Sequence, residues 1–162
     1  MKYDGIIFDM DGTIWNTEKE VCLAWNKVLA DAGHPKRVTG DELAGYMGLP
    51  MTEIAKQMFG TDNYDSVAEL FGRCMQYENE YIAKHGAVLY PDLINTLKQM
   101  YTKIPLFIVS NCQSGYIEAF LDYYGFGKYF KDILCWGDTK VSKGESIKIL
   151  MEKNGIEDAA YV

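Results

Sequence analysis

Three short and almost uninterrupted apolar runs, Ile6-Ile-Phe8, Leu106-Phe-Ile-Val109 and Ile133-Leu-Cys-Trp136, alternate with segments of helical periodicity. Strands this short and this apolar need cover on both faces, and a parallel sheet between helices provides it. Tyr90-Pro91 opens the regular part of this pattern. A helix striped by Leu93, Leu97 and Met100 is followed by a strand over 106–110, a helix over about 114–123 and a strand over 133–136. A further helix over about 144–153 closes at Asn154-Gly155, where a left-handed cap is expected, and Ala159 begins a last strand. The expected fold class is α/β, with a Rossmann-like parallel sheet as core.

Between the first run and Tyr90 no strong strand signal occurs, and helical signatures follow one another. Thr17 with Glu20, and Thr39 with Glu42, have the spacing of capping boxes. Val21, Trp25, Val28, Leu29 and Ala32 fall on one helical face before Gly33. Residues 50–60 read as a third helix, and Val67, Leu70, Phe71, Cys74, Met75, Tyr81 and Ile82 stripe a long fourth. Residues 15–87 therefore read as a helical cap inserted after the first strand, and residues 1–14 with 88–162 as the sheet core. Repeats and low-complexity tracts are absent.

The 162 residues carry 16 basic and 23 acidic side chains, net charge −7, without the basic stripe that nucleic-acid binding needs. No stretch approaches the roughly 18 apolar residues of a membrane helix, and Met1-Lys2-Tyr3-Asp4 shows no leader pattern, so a cytoplasmic protein is expected. Cys22, Cys74, Cys112 and Cys135 form neither C-x-x-C pairs nor a Cys/His cluster, which points to reduced, mostly buried thiols. Trp15 and Trp25 read as core residues, and His34 and His85 as surface loop residues.

The first apolar run ends on Asp9 and Asp11, followed by Gly12 and Thr13. Side chains at i and i+2 of an extended segment share a face, so both acids can reach one substrate while Met10 points elsewhere. Two carboxylates about 4 Å apart repel by about 4 kcal/mol at an effective dielectric near 20, so the pair needs a cation, a shared proton or a chemical purpose. In open parallel sheets, ligands sit beyond the carboxyl ends of the strands, where strand order reverses. Asp9, Asp11 and Ser110 all fall at such ends.

Asp9-Met10-Asp11-Gly12-Thr13 resembles the first motif, Asp-x-Asp-x-Thr, of the haloacid dehalogenase superfamily. Ser110-Asn111 after its strand is similar to the second motif, and Lys143 in Val141-Ser-Lys-Gly-Glu145 to the third. The fourth, an acidic pair usually beginning Gly-Asp, follows in relatives a strand similar to Ala159-Ala-Tyr-Val162, where this sequence stops, so a core truncated at its carboxyl end is expected. Gly137-Asp138 precedes Lys143 and reads as an ordinary loop rather than a substitute.

The resemblance implies a Mg²⁺-dependent phosphatase acting on a small phosphorylated metabolite, in the branch of phosphoglycolate phosphatase and β-phosphoglucomutase. Asp9 would be the nucleophile and Asp11 the general acid and base. Thr13, Ser110, Asn111 and Lys143 would bind phosphate, and Asp9 with Asp11 would hold the metal. The segment Gly48-Leu-Pro-Met51 would contribute lid contacts. Two other readings accompany it: a sugar phosphomutase with the same intermediate, and an inactive domain lacking the fourth motif. Haloalkanoate dehalogenases lack the second aspartate, so Asp11 argues against that activity.

Overall fold

The computed structural model describes residues 2–162. Its elements run β1 (Gly5–Phe8), β2 (Trp15–Asn16), α1 (Glu18–Asp31), α2 (Gly40–Tyr46), α3 (Met51–Phe59), α4 (Ala68–His85), β3 (Val88–Leu89) and α5 (Leu93–Met100). They continue with β4 (Leu106–Ser110), α6 (Tyr116–Tyr124), β5 (Phe130–Cys135), α7 (Trp136–Thr139), α8 (Lys143–Asn154) and β6 (Ala159–Tyr161). Four strands form a parallel sheet in the order β5-β4-β1-β6. This is the expected α/β, Rossmann-like architecture. After β1 the chain adds β4 and β5 on one side, then crosses to place β6 on the other. The order therefore reverses at the tip of β1.

Period-2 alternation explains why the strands are apolar throughout. Phe8, Leu106 and Ile108 face a cluster with Leu97, Tyr116, Ile117 and Phe120 from α5 and α6. Ile7, Phe107 and Val109 face the opposite side, against Leu150, Ile147 and Met151 of α8. All five residues of β4 are buried. Each such large apolar side chain contributes on the order of 1.5–3 kcal/mol on leaving water.

The helices α1 to α4 form a separate layer with its own cluster, centred on Trp25, Leu29, Ile54, Met58, Phe71 and Cys74. The capping box at Thr39 and Glu42 closes in both directions, and α3 ends at Gly60 in the left-handed region. The box expected at Thr17 does not form, because the Thr17 hydroxyl donates to Asp11 Oδ1 at 2.8 Å instead of capping α1. Trp15, read from sequence as the start of the insert, is wholly buried in the sheet-side cluster.

Other differences have local causes. The antiparallel pair β2–β3, with Trp15 opposite Leu89 and Asn16 opposite Val88, joins the two crossings between layers and is too short to carry a periodicity. β5 starts at Phe130 rather than 133, because the register shift between Leu106 and Phe107 leaves Lys131 out of the pairing and interrupts the apolar run. Trp136 leaves the strand and opens α7, so Gly137-Asp138 lies in a short helix, not a loop. His85 ends α4 rather than occupying a loop, and the half-buried His34 packs edge-on against Phe59. The four cysteines are free, three of them buried. Among the described residues, no helix is long and apolar enough to cross a membrane.

Candidate active site

A cleft of about 580 Å³, measured with its open mouth, lies between the tips of β1 and β4 and the helical layer. The sheet side of its lining contributes Asp9, Asp11, Ser110, Asn111 and Lys143, and the helical side contributes Trp25, Tyr46, Gly48, Met51 and Glu78. Five of the six residues assigned from sequence thus line one cleft. Thr13 is not among them: it lies in the turn after β1, where Gly12 adopts φ +81° and the Thr13 N–H donates to the Met10 carbonyl at 3.1 Å.

Asp9 follows the last residue of β1 and is held from two sides. Met10 N–H donates to its Oδ1 at 2.8 Å, and Lys143 Nζ donates to its Oδ2 at 2.7 Å. Lys143 is the first residue of α8, whose Ser142–Glu145 capping box fixes the helix start. Burial alone would lower the Lys143 pKa, but the hydrogen bond and charge of Asp9 outweigh it and leave the ammonium above its ordinary value. A cation at a helix N-terminus opposes the helix dipole, so the position suits an anion lying between the two.

Asp11 is in a different environment. Its Oδ1 accepts from the Thr17 hydroxyl at 2.8 Å and the Tyr116 hydroxyl at 2.7 Å, with the two hydroxyls 3.2 Å apart. Burial raises its pKa above the ordinary carboxylate range, the two hydroxyls oppose that rise, and the Asp9 charge adds to it. Neighbouring carboxylates whose surroundings differ in this way suit a division of labour between anion and proton carrier.

The Ser110 hydroxyl accepts the Cys112 N–H at 3.3 Å, and Asn111 Nδ2 donates to the Gly48 carbonyl at 2.9 Å. The latter bond ties the loop after β4 to the helical layer, and Gly48, Leu49 and Met51 of the expected lid segment do line the cleft. Beneath this loop, Gly137 N–H donates to the Cys112 carbonyl at 3.0 Å, and Asp138 accepts from Ser114.

Sequence reasoning missed Thr17, Tyr116, Gln113 and Glu78. Glu78 carried a readable signal, since it shares the helical spacing of Phe71, Cys74 and Ile82 and so places an acid on an apolar stripe. Burial pushes its carboxyl up to about 8.

No group of three or more His, Cys, Asp or Glu side chains is placed to hold a metal among the described residues. The Asp9 carboxylate and the Asp11 main-chain carbonyl, from two residues that line the cleft, are hard oxygen donors. Mg²⁺ accepts such a set, since it is commonly held by one or two carboxylates with waters and a substrate phosphate.

The sequence profile of haloacid dehalogenase-like hydrolases matches residues 6–162. The chain belongs to that family. This haloacid dehalogenase-like hydrolase is 25% identical over 164 residues to a phosphoglycolate phosphatase of Vibrio parahaemolyticus, covering 94% of this chain and 70% of the relative. It is 25% identical over 142 residues to the fructose-1-phosphate phosphatase YqaB of Escherichia coli, covering 88% and 74%. In fold it resembles CbbY from Rhodobacter sphaeroides in complex with xylulose-(1,5)bisphosphate, with a TM-score of 0.82, 17% identity and coverage of 98% and 76%. A haloacid dehalogenase-like family protein from Streptococcus pneumoniae gives 0.79, 20% identity and coverage of 99% and 75%.

Proposed function

We propose that this hydrolase is a magnesium-dependent phosphatase that releases phosphate from a small phosphorylated metabolite through an aspartyl phosphate on Asp9. The observation that carries the reading is the pairing of Asp9, clamped by Lys143 at 2.7 Å, with the buried and doubly hydrogen-bonded Asp11 two residues on. The curated relatives named above are phosphatases of small phosphate esters, which supports the substrate class.

An Asp9 carboxylate oxygen attacks phosphorus, the bond from phosphorus to the ester oxygen breaks, and the leaving oxygen takes the proton held by Asp11. Water then attacks the acyl phosphate, Asp11 takes its proton, and inorganic phosphate departs with Asp9 regenerated. Burial gives Asp11 its hold on the proton for the first step, and the Thr17 and Tyr116 hydroxyls stabilise the carboxylate left behind. Ser110, the Asn111 main-chain N–H and Lys143 surround the position of the transferred oxygens, where fixed donors stabilise the developing charge. A bound Mg²⁺, held by Asp9 and the Asp11 carbonyl, would neutralise charge between the carboxylate and the phosphate. The buried free thiols accord with a reducing, cytoplasmic setting.

The test is phosphate release from an aryl phosphate with and without Mg²⁺, in the wild type and in Asp9→Asn. Release that needs the metal and disappears in the variant is expected. Turnover that survives Asp9→Asn, or the absence of an adduct on Asp9 with a beryllium fluoride mimic of the phosphoryl group, removes the assigned nucleophile.

A further inference from the structure

β4 ends at Ser110, and the chain leaves the sheet over residues 111–115 before α6 begins at Tyr116. The donors that the proposed chemistry sets around phosphate, the Ser110 hydroxyl and the Asn111 N–H, stand at the entrance of this loop. A loop outside the sheet ladder keeps its shape only through contacts made from its flanks. At its far end one common device is missing, because α6 starts without a side-chain cap, whereas Thr39 caps α2 and Ser142 caps α8.

The helical layer supplies contacts in its place. Asn79 of α4 uses both ends of its amide: Nδ2 donates to the Ser114 carbonyl at 2.8 Å, and Oδ1 accepts from Gln113 Nε2 at 2.9 Å. Gln113 Nε2 also reaches the Met75 carbonyl, one helical turn earlier in α4, at 3.5 Å. The fit is close, since a Cβ on Gly115 would lie 2.9 Å from Asn79 Nδ2. At the near end of the loop, Asn111 Nδ2 donates to the Gly48 carbonyl at 2.9 Å. The sheet side holds the same residues through Gly137 N–H on the Cys112 carbonyl and Asp138 on Ser114. The loop is thus gripped between the two layers.

Resting on the phosphatase reading, we infer that the helical layer sets the affinity for phosphate itself, with Asn79 as a positioning residue that acts through Gln113 and Ser114 on the loop after β4. Asn79 lies outside the cleft lining, so it touches no substrate atom. Its influence travels through the loop. Donors already fixed in place cost nothing to organise when an anion arrives, whereas a released loop must be ordered by the ligand at the expense of affinity. The loss would therefore be the same for every ester and for free phosphate, because it does not involve the leaving group.

The experiment uses the full chain with Mg²⁺ and measures KM for an aryl phosphate and for glycerol 1-phosphate, together with the competitive Ki of inorganic phosphate. Wild type, Asn79→Ala, Gln113→Ala and the double variant are compared. In Asn79→Ala both KM values and the Ki are expected to rise in parallel by about tenfold, for two lost hydrogen bonds. A loss of stability alone would lower the active fraction and leave the Ki where it was. In the double variant the rise in Ki should fall short of the product of the single effects, as for residues acting along one route. Asn79→Ser provides the same comparison if the alanine variant does not fold. An unchanged Ki in the folded variants, a rise confined to one ester, or effects that multiply in full overturns this inference alone. Release from neither ester by the wild type overturns the phosphatase reading and this inference with it.

Discussion

The phenolic hydroxyl of Tyr116 donates to Asp11 Oδ1 at 2.7 Å, across 105 positions of sequence. Burial holds the Tyr116 proton well above the ordinary phenol range, so the group remains a donor at any working pH. A donor to the carboxylate favours the charged form. Tyr116→Phe therefore lets Asp11 hold its proton more tightly. The alkaline limb of the phosphoryl-transfer rate, set by loss of that proton, should move to higher pH, while looser positioning lowers kcat at pH 7 about tenfold. A pH–rate profile of the variant with an aryl phosphate checks both. A limb that stays in place would show that Asp11 does not control it.

Lys143 Nζ reaches Asp9 from the start of α8 and is the one Lys or Arg lining the cleft among the described residues. In Lys143→Met the side chain keeps its length but supplies no charge to the nucleophile or to the transferred oxygens. The expected loss in kcat/KM is about 100- to 1000-fold, comparable to removing one preorganised donor in other acyl and phosphoryl sites. Steady-state kinetics, with circular dichroism to confirm folding, measures it. The loss should fall mainly on kcat, because the charge being stabilised grows in the transition state.

Gly137 sits where a side chain cannot. A Cβ at this position would lie 2.0 Å from Ser114 N and 2.6 Å from Gln113 C, both backbone atoms that cannot rotate away. The loop that carries Ser110 and Asn111 would have to shift. Gly137→Ala should destabilise the fold by about 1–3 kcal/mol, as overpacking does. Urea unfolding reads the stability, and a raised KM for an aryl phosphate reports the displaced loop.

Much of this arrangement is legible in the sequence because it depends on local periodicity. The strand over 106–110 coincides with β4, and the Thr39–Glu42 box forms as its spacing requires. Asp9, Asp11 and Ser110 could be placed together because strand tips in an open parallel sheet converge where the order reverses. What was hidden depends on contacts between layers. The Thr17 hydroxyl had an equally good local partner at the start of α1 and is drawn instead to Asp11. Tyr116 opens α6 on an apolar face, where nothing in spacing separates a core tyrosine from one whose hydroxyl reaches an acid. Gln113 is held in the cleft lining by Asn79, from a helix 34 residues earlier, a contact that local spacing does not carry.

Glu78 makes the fold itself sensitive to pH. In the unfolded chain its carboxyl gives up a proton above the ordinary value of 4.5, whereas burial in the fold holds the proton until about 8. Between those limits the folded state binds more protons than the unfolded one, so stability falls as pH rises, by up to about 1.4 kcal/mol per pH unit. Below the lower limit both states are protonated and the group costs nothing. Asp11, also raised by burial, adds a slope of the same sign that wild type and variant share. Glu78→Gln keeps an acceptor for Trp25 and removes the titration. Relative to wild type, the variant should gain on the order of 2–3 kcal/mol between pH 5 and pH 7.5. Urea unfolding at the two pH values measures the gap. A gap that is equal at both would mean that Glu78 ionises in the fold as it does in water, with the cleft around Trp25 and Gln113 open to solvent.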